Sequence, residues 1–373
     1  MSELGLGTPT DVRSAPQVRP RRGRSALATL LALGIVVAVV GGAAYVGRNA
    51  LTGAFAGPED FAGPGLGTVR AEIQPGDSVS TIGTRLTELG VVASADAFVD
   101  ASESEARATS IQPGSYDMRL QMAAADALAL LIDPSNRLFY EATLPEGLLL
   151  AESLARLAEA TGIPLAELEA AARAPRELGL PAYANDFVEG FIFPATYEFE
   201  PGANAPAVLA ETVVRFEQAA AALDLVAGAK TLGVEPLDVV VIASIIEAEA
   251  TRVEDRARVA RVLYNRLEMR IRLQLDSTVK YVVGVDGDIF TTEQDRATES
   301  PYNTYLVDGL PPGPISSPGE AALEAALHPA EGNWLYFVVV DLETGETRFA
   351  ATGEEHQANV AVLQQYCAVS ELC

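Results

Sequence analysis

The stretch Leu237–Thr251, LDVVVIASIIEAEAT, decides the fold of this chain, because it predicts a helix that is buried on all sides. It follows Pro236, and proline suits the first turn of a helix. Nearly every position up to Ile246 is apolar, and a helix without a polar face lies in a protein interior. We therefore expect a large domain to pack around this helix.

Two carboxylates, Glu247 and Glu249, lie in the second half of the stretch. The helix either reaches the surface after Ile246 and leaves both acids in water, or keeps them buried. Burial would raise their pKa values, so that they carry a proton near neutrality. A carboxylic acid that can give up a proton is what cleavage of a glycosidic bond requires.

Helix geometry separates the two acids. At about 100° per residue, Glu247 shares its face with small side chains and Glu249 shares its face with bulky ones. The small residues are Ala243, Ser244, Ala250 and Thr251, and the bulky ones are Ile242, Ile245, Ile246 and Val253. Small neighbours leave room for a substrate, so the sequence predicts Glu247 as the catalytic residue.

Composition excludes several functional classes. The net charge of −25 over 373 residues is the opposite of what a nucleic-acid-binding protein carries. The two histidines, His328 and His356, lack metal-ligand spacing, and the chain has neither a phosphate-binding glycine loop nor a G-x-S-x-G motif. We expect no metal and no cofactor. Cys367 and Cys373 are predicted either to form a disulfide or to stay as two unpaired thiols.

The first part of the chain predicts a membrane anchor. Residues 1–24 are polar and rich in arginine, and Ser25–Gly47 contains no charged residue. That length suits a transmembrane helix, although a cleaved signal peptide is the alternative. The arginines place the N-terminus in the cytoplasm. We therefore expect a single-pass protein of the plasma membrane with its remaining domains outside the cytoplasm.

The rest of the chain predicts an α+β protein with two further domains. Residues 48–67 form a linker rich in glycine, alanine and proline. Residues 68–134 alternate as strand, helix, helix and strand, which resembles a LysM-like module of the kind that holds glycans; a spacer without a ligand is the alternative. Residues 135–373 form the larger α+β catalytic domain. Its segment Glu189–Ala203 contains aromatic residues and a proline, and predicts either a sugar-binding groove or ordinary core packing.

Seven sequence blocks together resemble one known family. They are Leu144–Gly147 (LPEG), Glu189–Phe199 (EGFIFPATYEF), Ala243–Ala250 (ASIIEAEA), Tyr264–Leu267 (YNRL), Arg272–Tyr281 (RLQLDSTVKY), Ser300–Tyr305 (SPYNTY) and Gly309–Gly319 (GLPPGPISSPG). In this order they resemble the YceG-like, or MltG, endolytic murein transglycosylases along nearly all of the chain after the linker.

The resemblance implies cleavage of the β-1,4 bond between N-acetylmuramic acid and N-acetylglucosamine in nascent peptidoglycan strands. The product carries a 1,6-anhydro-muramic end, and elongation of the strand stops. As aligned here, the family's catalytic acid falls on Glu247, and Glu249 becomes a supporting residue. The resemblance also implies a groove lined by Gln274, Asp276, Thr278, Tyr302, Asn303 and Thr304. A peptidoglycan synthase would be a neighbour at the membrane.

Two positions depart from the family pattern. Ala248 stands where the family often has lysine, which removes a positive charge beside both acids. Ser277 stands where the family often has proline.

Two other functions stay open: a membrane-tethered scaffold that binds glycan without turnover, and a hydrolase in which Asp276 or Glu189 serves as the second carboxylate.

Overall fold

The computed structural model describes residues 25–54, 57–284, 291–370 and 372–373, without the side chains of residues 25–30, 32 and 47–54. The helices of this part of the chain are α1 (Ser25–Ala54), α2 (Val79–Glu88), α3 (Ala95–Glu103), α4 (Ala124–Ile132), α5 (Leu150–Thr161), α6 (Leu165–Ala172), α7 (Ala205–Ala222), α8 (Leu225–Leu232), α9 (Pro236–Glu249), α10 (Val253–Glu268), α11 (Asp276–Val283), α12 (Glu293–Arg296), α13 (Glu320–Leu327) and α14 (Gly353–Cys367).

Within the described residues, the strands form three small sheets. They are β1 (Pro64–Ile73), β2 (Gly114–Met122), β3 (Arg137–Leu138), β4 (Tyr140–Thr143), β5 (Thr196–Phe199), β6 (Tyr336–Asp341) and β7 (Glu346–Ala350). The sheets have the strand orders β1-β2-β3, β4-β5 and β6-β7. The predicted α+β class is confirmed.

Helix α1 contains the segment predicted to cross a membrane. Its described side chains between residues 33 and 46 are exposed. Within the part of the chain that the structure describes, no helix is both long enough and apolar enough to span a bilayer. The transmembrane helix predicted over Ser25–Gly47 is therefore not confirmed; the side chains at both ends of that stretch lie outside the described set.

The chain divides into two compact units, of which the first combines residues 78–109 and 119–128 with the described residues before 68. Its helix α2 begins after Ser78, whose hydroxyl accepts a hydrogen bond from the Thr81 amide at 3.2 Å. Helix α3 is capped in the same way by Ser94. Such caps satisfy amides that lack a partner within the helix.

The order β1, α2, α3, β2 is the strand–helix–helix–strand order predicted for residues 68–134. Strand β2 continues the sheet to β3, with which it pairs in antiparallel fashion. The likeness to a LysM module stays a prediction.

The second unit combines residues 68–77 and 110–118 with everything from residue 129 onward. One of its hydrophobic clusters joins α5, α6 and α7 to the antiparallel pair β4-β5. The aromatic run belongs to cores of this kind: Phe191, Phe193, Tyr197 and Phe199 are each at most 5% exposed. Core packing is therefore the correct interpretation of this segment, and the predicted sugar-binding groove is not formed by these rings.

Helix α9 lies at the centre of the other cluster, among α8, α10 and α13. Every residue from Val239 to Ile246 is at most 1% exposed, as the sequence predicts. Full burial of one valine or isoleucine contributes about 1.5–3 kcal/mol. This run therefore fixes the helix firmly and determines where its last turn lies.

The C-terminal part contains a β-hairpin. Strands β6 and β7 pair in antiparallel register, with Phe337 opposite Phe349. Gly345 occupies the turn at φ +71°, a conformation that favours glycine. Helix α14 follows, and Cys367 is disulfide-bonded to Cys373, which decides between the two predicted states.

Candidate active site

The two acids of α9 lie in its last turn, and Glu249 is its final residue. The backbone carbonyls at a helix C-terminus carry partial negative charge, which disfavours a neighbouring carboxylate. This position therefore favours the protonated form of both side chains.

Glu247 is held in an ion pair. Its side chain is 6% exposed, and Oε1 accepts from Nη2 of Arg256 at 2.7 Å while Oε2 accepts from the Gly319 amide at 3.0 Å. Burial raises the pKa of Glu247, the contacts with Gly319 and Arg256 oppose that rise, and the nearby carboxylate of Glu146 adds to it.

Arg256 joins the block Leu144–Gly147 to α9. Its side chain is 9% exposed, and it reaches Glu146 at 3.3 Å as well as Glu247. Its Nε and Nη1 atoms find no hydrogen-bond partner among the described residues. The block Leu144–Gly147 is also tied to the block Gly309–Gly319, since the Gly147 amide donates to the Ser317 carbonyl at 2.9 Å. Arg256 and Glu146 thus hold Glu247 in a fixed position.

Glu249 is in a different environment. Burial is the main cause that raises its pKa, and the carboxylate of Asp276 raises it further. The side chain and the amide of Ser277, of which the amide lies 3.4 Å from Oε1, and the charge of Lys280 oppose the rise. The net effect keeps Glu249 protonated at a higher pH than an ordinary glutamate.

Asp276 shows the opposite shift. Burial alone would raise its pKa, but hydrogen bonds from Tyr305, Thr291 and Arg296 lower it below the ordinary value. The Tyr305 hydroxyl donates at 2.6 Å and Arg296 Nη2 at 3.1 Å. Two neighbouring carboxyl groups whose pKa values are pushed apart are the arrangement that acid–base chemistry uses.

A cavity of about 660 Å³ opens beside these groups. Among the described residues, its wall includes Glu249 but not Glu247. One side of the wall contains polar and ionisable residues: Glu249, Gln274, Asp276, Ser277, Lys280, Tyr281 and Tyr305. Its volume lies in the range of ligand-binding pockets, about 300–1,000 Å³.

The face of α9 that carries Glu247 is occupied by protein. Its small residue Ser244 accepts a hydrogen bond from the Ile315 amide at 3.0 Å, and its carbonyl accepts from the Ser316 hydroxyl at 3.2 Å. Beside Ser244, one turn before Glu247, the space predicted for a substrate therefore holds the backbone of the loop at residues 315–316. Small side chains on this face permit the close approach of that loop.

The predicted groove residues fall into two groups. Gln274 and Asp276 line the cavity. Thr278, Asn303 and Thr304 are 0% exposed and lie behind the wall instead of forming it. Tyr302 packs on the cavity residue Tyr281, with ring centroids 4.8 Å apart.

The buried residues support the wall through hydrogen bonds. Thr304 Oγ1 accepts from the Leu275 amide at 3.0 Å and lies 2.9 Å from Thr278 Oγ1. The Thr304 carbonyl accepts from the Gln274 amide at 3.1 Å. Gln274 has φ +48°, a strained conformation for a residue with a side chain, so these contacts hold a strained residue at the cavity.

Comparison with known proteins now identifies the family. A sequence model described as the YceG-like family matches residues 71–362. The chain belongs to the YceG-like family.

Relatives of this family member share most of its length. An endolytic murein transglycosylase of Bacillus subtilis (strain 168) is 30% identical over 337 residues, which cover 85% of this chain and 89% of that protein. An endolytic murein transglycosylase of Streptococcus pneumoniae is 29% identical over 79% of this chain, and the match spans 58% of the pneumococcal protein. The crystal structure of a yceG-like protein from Listeria monocytogenes superposes with a TM-score of 0.54 at 28% identity, covering 78% of this chain and 98% of that one.

Sequence reasoning missed several site residues of this YceG-like chain. Glu146 and Tyr305 lie inside sequence blocks that carry the resemblance, and their position in those blocks could have marked them as site residues. Arg256 and Arg296 had no such signal, because only the fold brings them to the acids. Arg256 beside Glu247 and Lys280 near Glu249 supply the positive charge that Ala248 lacks.

Glu189, predicted as an alternative second carboxylate, does not line the described wall of the cavity. Its carboxylate accepts from the Leu150 amide at 2.9 Å, at the start of α5. Burial raises its pKa to about 7, against the opposing contacts with the Leu150 and Gly190 amides. Its observed contacts are those of a helix cap.

Proposed function

We propose that this protein is an endolytic lytic transglycosylase of peptidoglycan, which cleaves the β-1,4 bond after N-acetylmuramic acid and leaves a 1,6-anhydro end. The main support for this proposal is the pair of carboxyl groups at the cavity. Glu249, whose pKa is raised, lines the cavity together with Asp276, whose pKa is lowered and which is therefore ionised. The names of the curated relatives support the same reaction.

The geometry favours Glu249 as the acid, in place of the residue predicted from helix faces. Protonated Glu249 donates its proton to the glycosidic oxygen as the bond from that oxygen to C1 breaks. Positive charge then develops at C1, where the ionised Asp276 stabilises it. The leaving N-acetylglucosamine departs with the proton as a free hydroxyl.

The second step regenerates the acid. The Glu249 carboxylate takes the proton from the C6 hydroxyl of the muramic residue, and the C6 oxygen bonds to C1. Proton transfer by such a group contributes roughly 10²–10⁴-fold to the rate. One carboxyl group therefore serves as acid and then as base, and water is not consumed.

Glu247 takes a structural role in this proposal. Its carboxylate is committed to Arg256 and Gly319, and this ion pair positions the last turn of α9. Gln274 and Tyr281 line the same wall as Glu249, and we assign them to substrate contact. Thr278, Tyr302, Asn303 and Thr304 support that wall from behind.

We also propose that the chain is anchored in the plasma membrane by the uncharged segment Ser25–Gly47, with its C-terminal part outside the cytoplasm. The segment is helical, and arginines precede it. The LysM-like region at residues 68–134 would hold the glycan, and a peptidoglycan synthase would supply it. Membrane fractionation of the full chain, compared with a chain lacking residues 1–48, tests the anchor: both chains in the soluble fraction would contradict it.

The reaction is tested by its product. The full chain is incubated with purified glycan strands, and the new ends are read by mass spectrometry. Anhydro-muramic ends are expected. Reducing ends would instead indicate a two-carboxylate hydrolase, and uncut strands that are nevertheless bound would indicate a glycan-binding scaffold.

A further inference from the structure

The cavity is also lined by a buried arginine that the proposed reaction does not use. Arg266 lies in the last turn of α10, is 9% exposed and belongs to the cavity wall. Among the described residues, the groups whose charges act on it are two tyrosines and no carboxylate. A buried charge usually has an opposite charge beside it, because the removal of a lone charge from water is costly. Arg266 therefore carries a positive charge that no described carboxylate compensates.

The guanidinium of Arg266 is held in place by backbone carbonyls. Nε donates to the Leu335 carbonyl at 2.6 Å. Nη1 donates to the Leu273 carbonyl at 2.7 Å and to the Arg272 carbonyl at 3.1 Å. The third nitrogen, Nη2, donates to no described residue and, unlike the unpaired nitrogens of Arg256, keeps accessible surface. Because Arg266 lines the cavity and is otherwise enclosed, a ligand in the cavity can reach Nη2.

An aromatic ring adds to the fixed position of this group. The guanidinium carbon of Arg266 lies 5.0 Å from the ring centroid of Tyr336, and Tyr336 stacks on His356. The face of a ring attracts a cation, but it carries no full negative charge. A group that is already fixed loses little freedom when a ligand binds. Arg266 is thus prepared for a ligand before the ligand arrives.

Arg266 is not the counter-ion of the two acids that line the same cavity. Burial is the main cause that lowers the pKa of Arg266, and Tyr336 and Tyr305 oppose it. The pKa values of Glu249 and Asp276 are shifted by other groups. Arginine keeps its charge at neutral pH. The cavity therefore offers a positive charge that is separate from its acid–base pair.

This charge selects one kind of ligand group. A hydrogen bond from arginine to a carboxylate is roughly twice as strong as a hydrogen bond between neutral groups. Hydroxyl and acetamido groups of a sugar are neutral and would leave the charge of Arg266 uncompensated. In a glycan strand the carboxylates belong to the muramic residues. They come from the lactyl group where no peptide is attached, or from the peptide stem.

We propose that Arg266 forms a carboxylate subsite of the cavity, with Nη2 as the donor. This inference rests on the proposed function, because the glycan strand is the substrate. The lactyl group is attached to C3 of the ring whose C1 reacts, so the subsite positions that ring relative to Glu249. It also selects a muramic ring over a glucosamine ring, which has no carboxylate. Lys280 lines the same cavity, but its charge acts on Glu249.

The test uses the disaccharide in which N-acetylglucosamine is β-1,4-linked to N-acetylmuramic acid, because it lacks the bond that the proposed reaction cleaves. Kd is measured for the full chain with the free lactyl carboxylate and with this group converted to a primary amide. The wild-type protein should bind the acid more tightly by roughly ten- to a hundredfold, the usual contribution of a hydrogen bond to a charged group.

A second pair of ligands identifies the source of the carboxylate. Here the lactyl group carries a dipeptide that ends either in a carboxylate or in an amide. Preference for the acid in the first pair assigns the subsite to the lactyl group, and preference in the second pair assigns it to the peptide stem. Equal Kd values within both pairs would overturn the proposal.

Variants of α10 separate binding from structural support. Arg266→Met should remove the preference for the acid, and Arg266→Lys, which keeps a positive charge, should retain part of it. Arg261→Gln is the matched control, because Arg261 also donates to a backbone carbonyl, that of Ala330, but does not belong to the described cavity wall; it should keep the wild-type ratio. If Arg266→Met weakens the binding of acid and amide equally, Arg266 is only a structural residue and the proposal is overturned.

A further variant decides the case in which Arg266→Met does not fold. Lys280→Met should keep the preference for the acid, and its loss there would assign the carboxylate to Lys280 instead of Arg266. The result is independent of cleavage, since the ligands lack the bond that is cut. The proposed function fails if longer strands stay uncut, whereas the carboxylate subsite fails if acid and amide bind alike.

Discussion

The ion pair between Arg256 and Glu247 gives a prediction whose size follows from the structure. In Arg256→Met the arginine's long apolar stem is largely preserved, but Glu247 loses its partner while its side chain stays 6% exposed. Removal of one partner from a buried pair costs about 3–5 kcal/mol. Glu146 is half-exposed in the same network and remains solvated.

The loss of stability cannot exceed the free-energy cost of protonating Glu247, and this cost depends on pH. The ordinary pKa is 4.5, burial raises the folded value above it, and removal of the guanidinium raises it further. The folded variant therefore holds its proton at low pH, and the loss of stability grows as pH rises above 4.5. At pH 7, which is 2.5 pH units above the ordinary pKa, protonation of Glu247 costs at most about 3.4 kcal/mol, because each pH unit costs about 1.36 kcal/mol. At pH 5 the same protonation costs about 0.7 kcal/mol.

The assay is urea unfolding of the full chain followed by the fluorescence of Trp334, its one tryptophan. We expect a loss near 3 kcal/mol at pH 7 and below 1 kcal/mol at pH 5, each relative to wild type. Adding Glu247→Gln to the variant should recover most of the loss. Arg252→Met, whose pair with Glu254 is half-exposed, should change stability by less than about 1 kcal/mol. A loss of equal size at both pH values would refute this reasoning.

Two further predictions concern the environment of Glu249 and the packing of one loop. Ser277→Pro removes both the hydroxyl and the amide that lower the pKa of Glu249, so the alkaline limb of the kcat/KM profile should move to higher pH; Ser277→Ala removes the hydroxyl alone and should move it less, and a downward shift would contradict the assignment. Gly190→Ala should destabilise the fold by roughly 2–4 kcal/mol in urea titrations, because its φ is +85° and the added carbon would lie 2.4 Å from Pro314. Gly202→Ala, with φ +91° but open space, should lose only roughly 1–2 kcal/mol, and equal losses would exclude the steric explanation.

The central helix could be predicted from the sequence because its signal is local. An unbroken apolar run after Pro236 has no stable place except a protein interior, and the structure buries it from Val239 to Ile246. Helix α14 was not predicted, because none of its residues is fully buried and its apolar positions form no clear stripe. Helix α11 was missed because it is only eight residues long and its sequence is largely polar at the start.

The choice between the two acids could not be made from the helix alone. Helix geometry gives the neighbours on α9 but not the segments that pack against them. The small face that carries Glu247 is covered at Ser244 by the loop at residues 315–316, whereas the segment at residues 273–277 forms the cavity wall beside Glu249. These contacts join positions that are 28 to 72 residues apart in the chain, and a local pattern carries no information about them.

The catalytic assignment is tested most directly by three matched variants assayed for cleavage of purified glycan strands. Glu249→Gln should reduce kcat/KM by roughly 10²–10⁴-fold while the free energy of unfolding is retained. Glu247→Gln should keep activity within about tenfold, and Glu268→Gln, at an exposed position of α10, should match wild type. Loss of cleavage in Glu247→Gln with activity retained in Glu249→Gln would contradict the assignment of Glu249 as the proton donor.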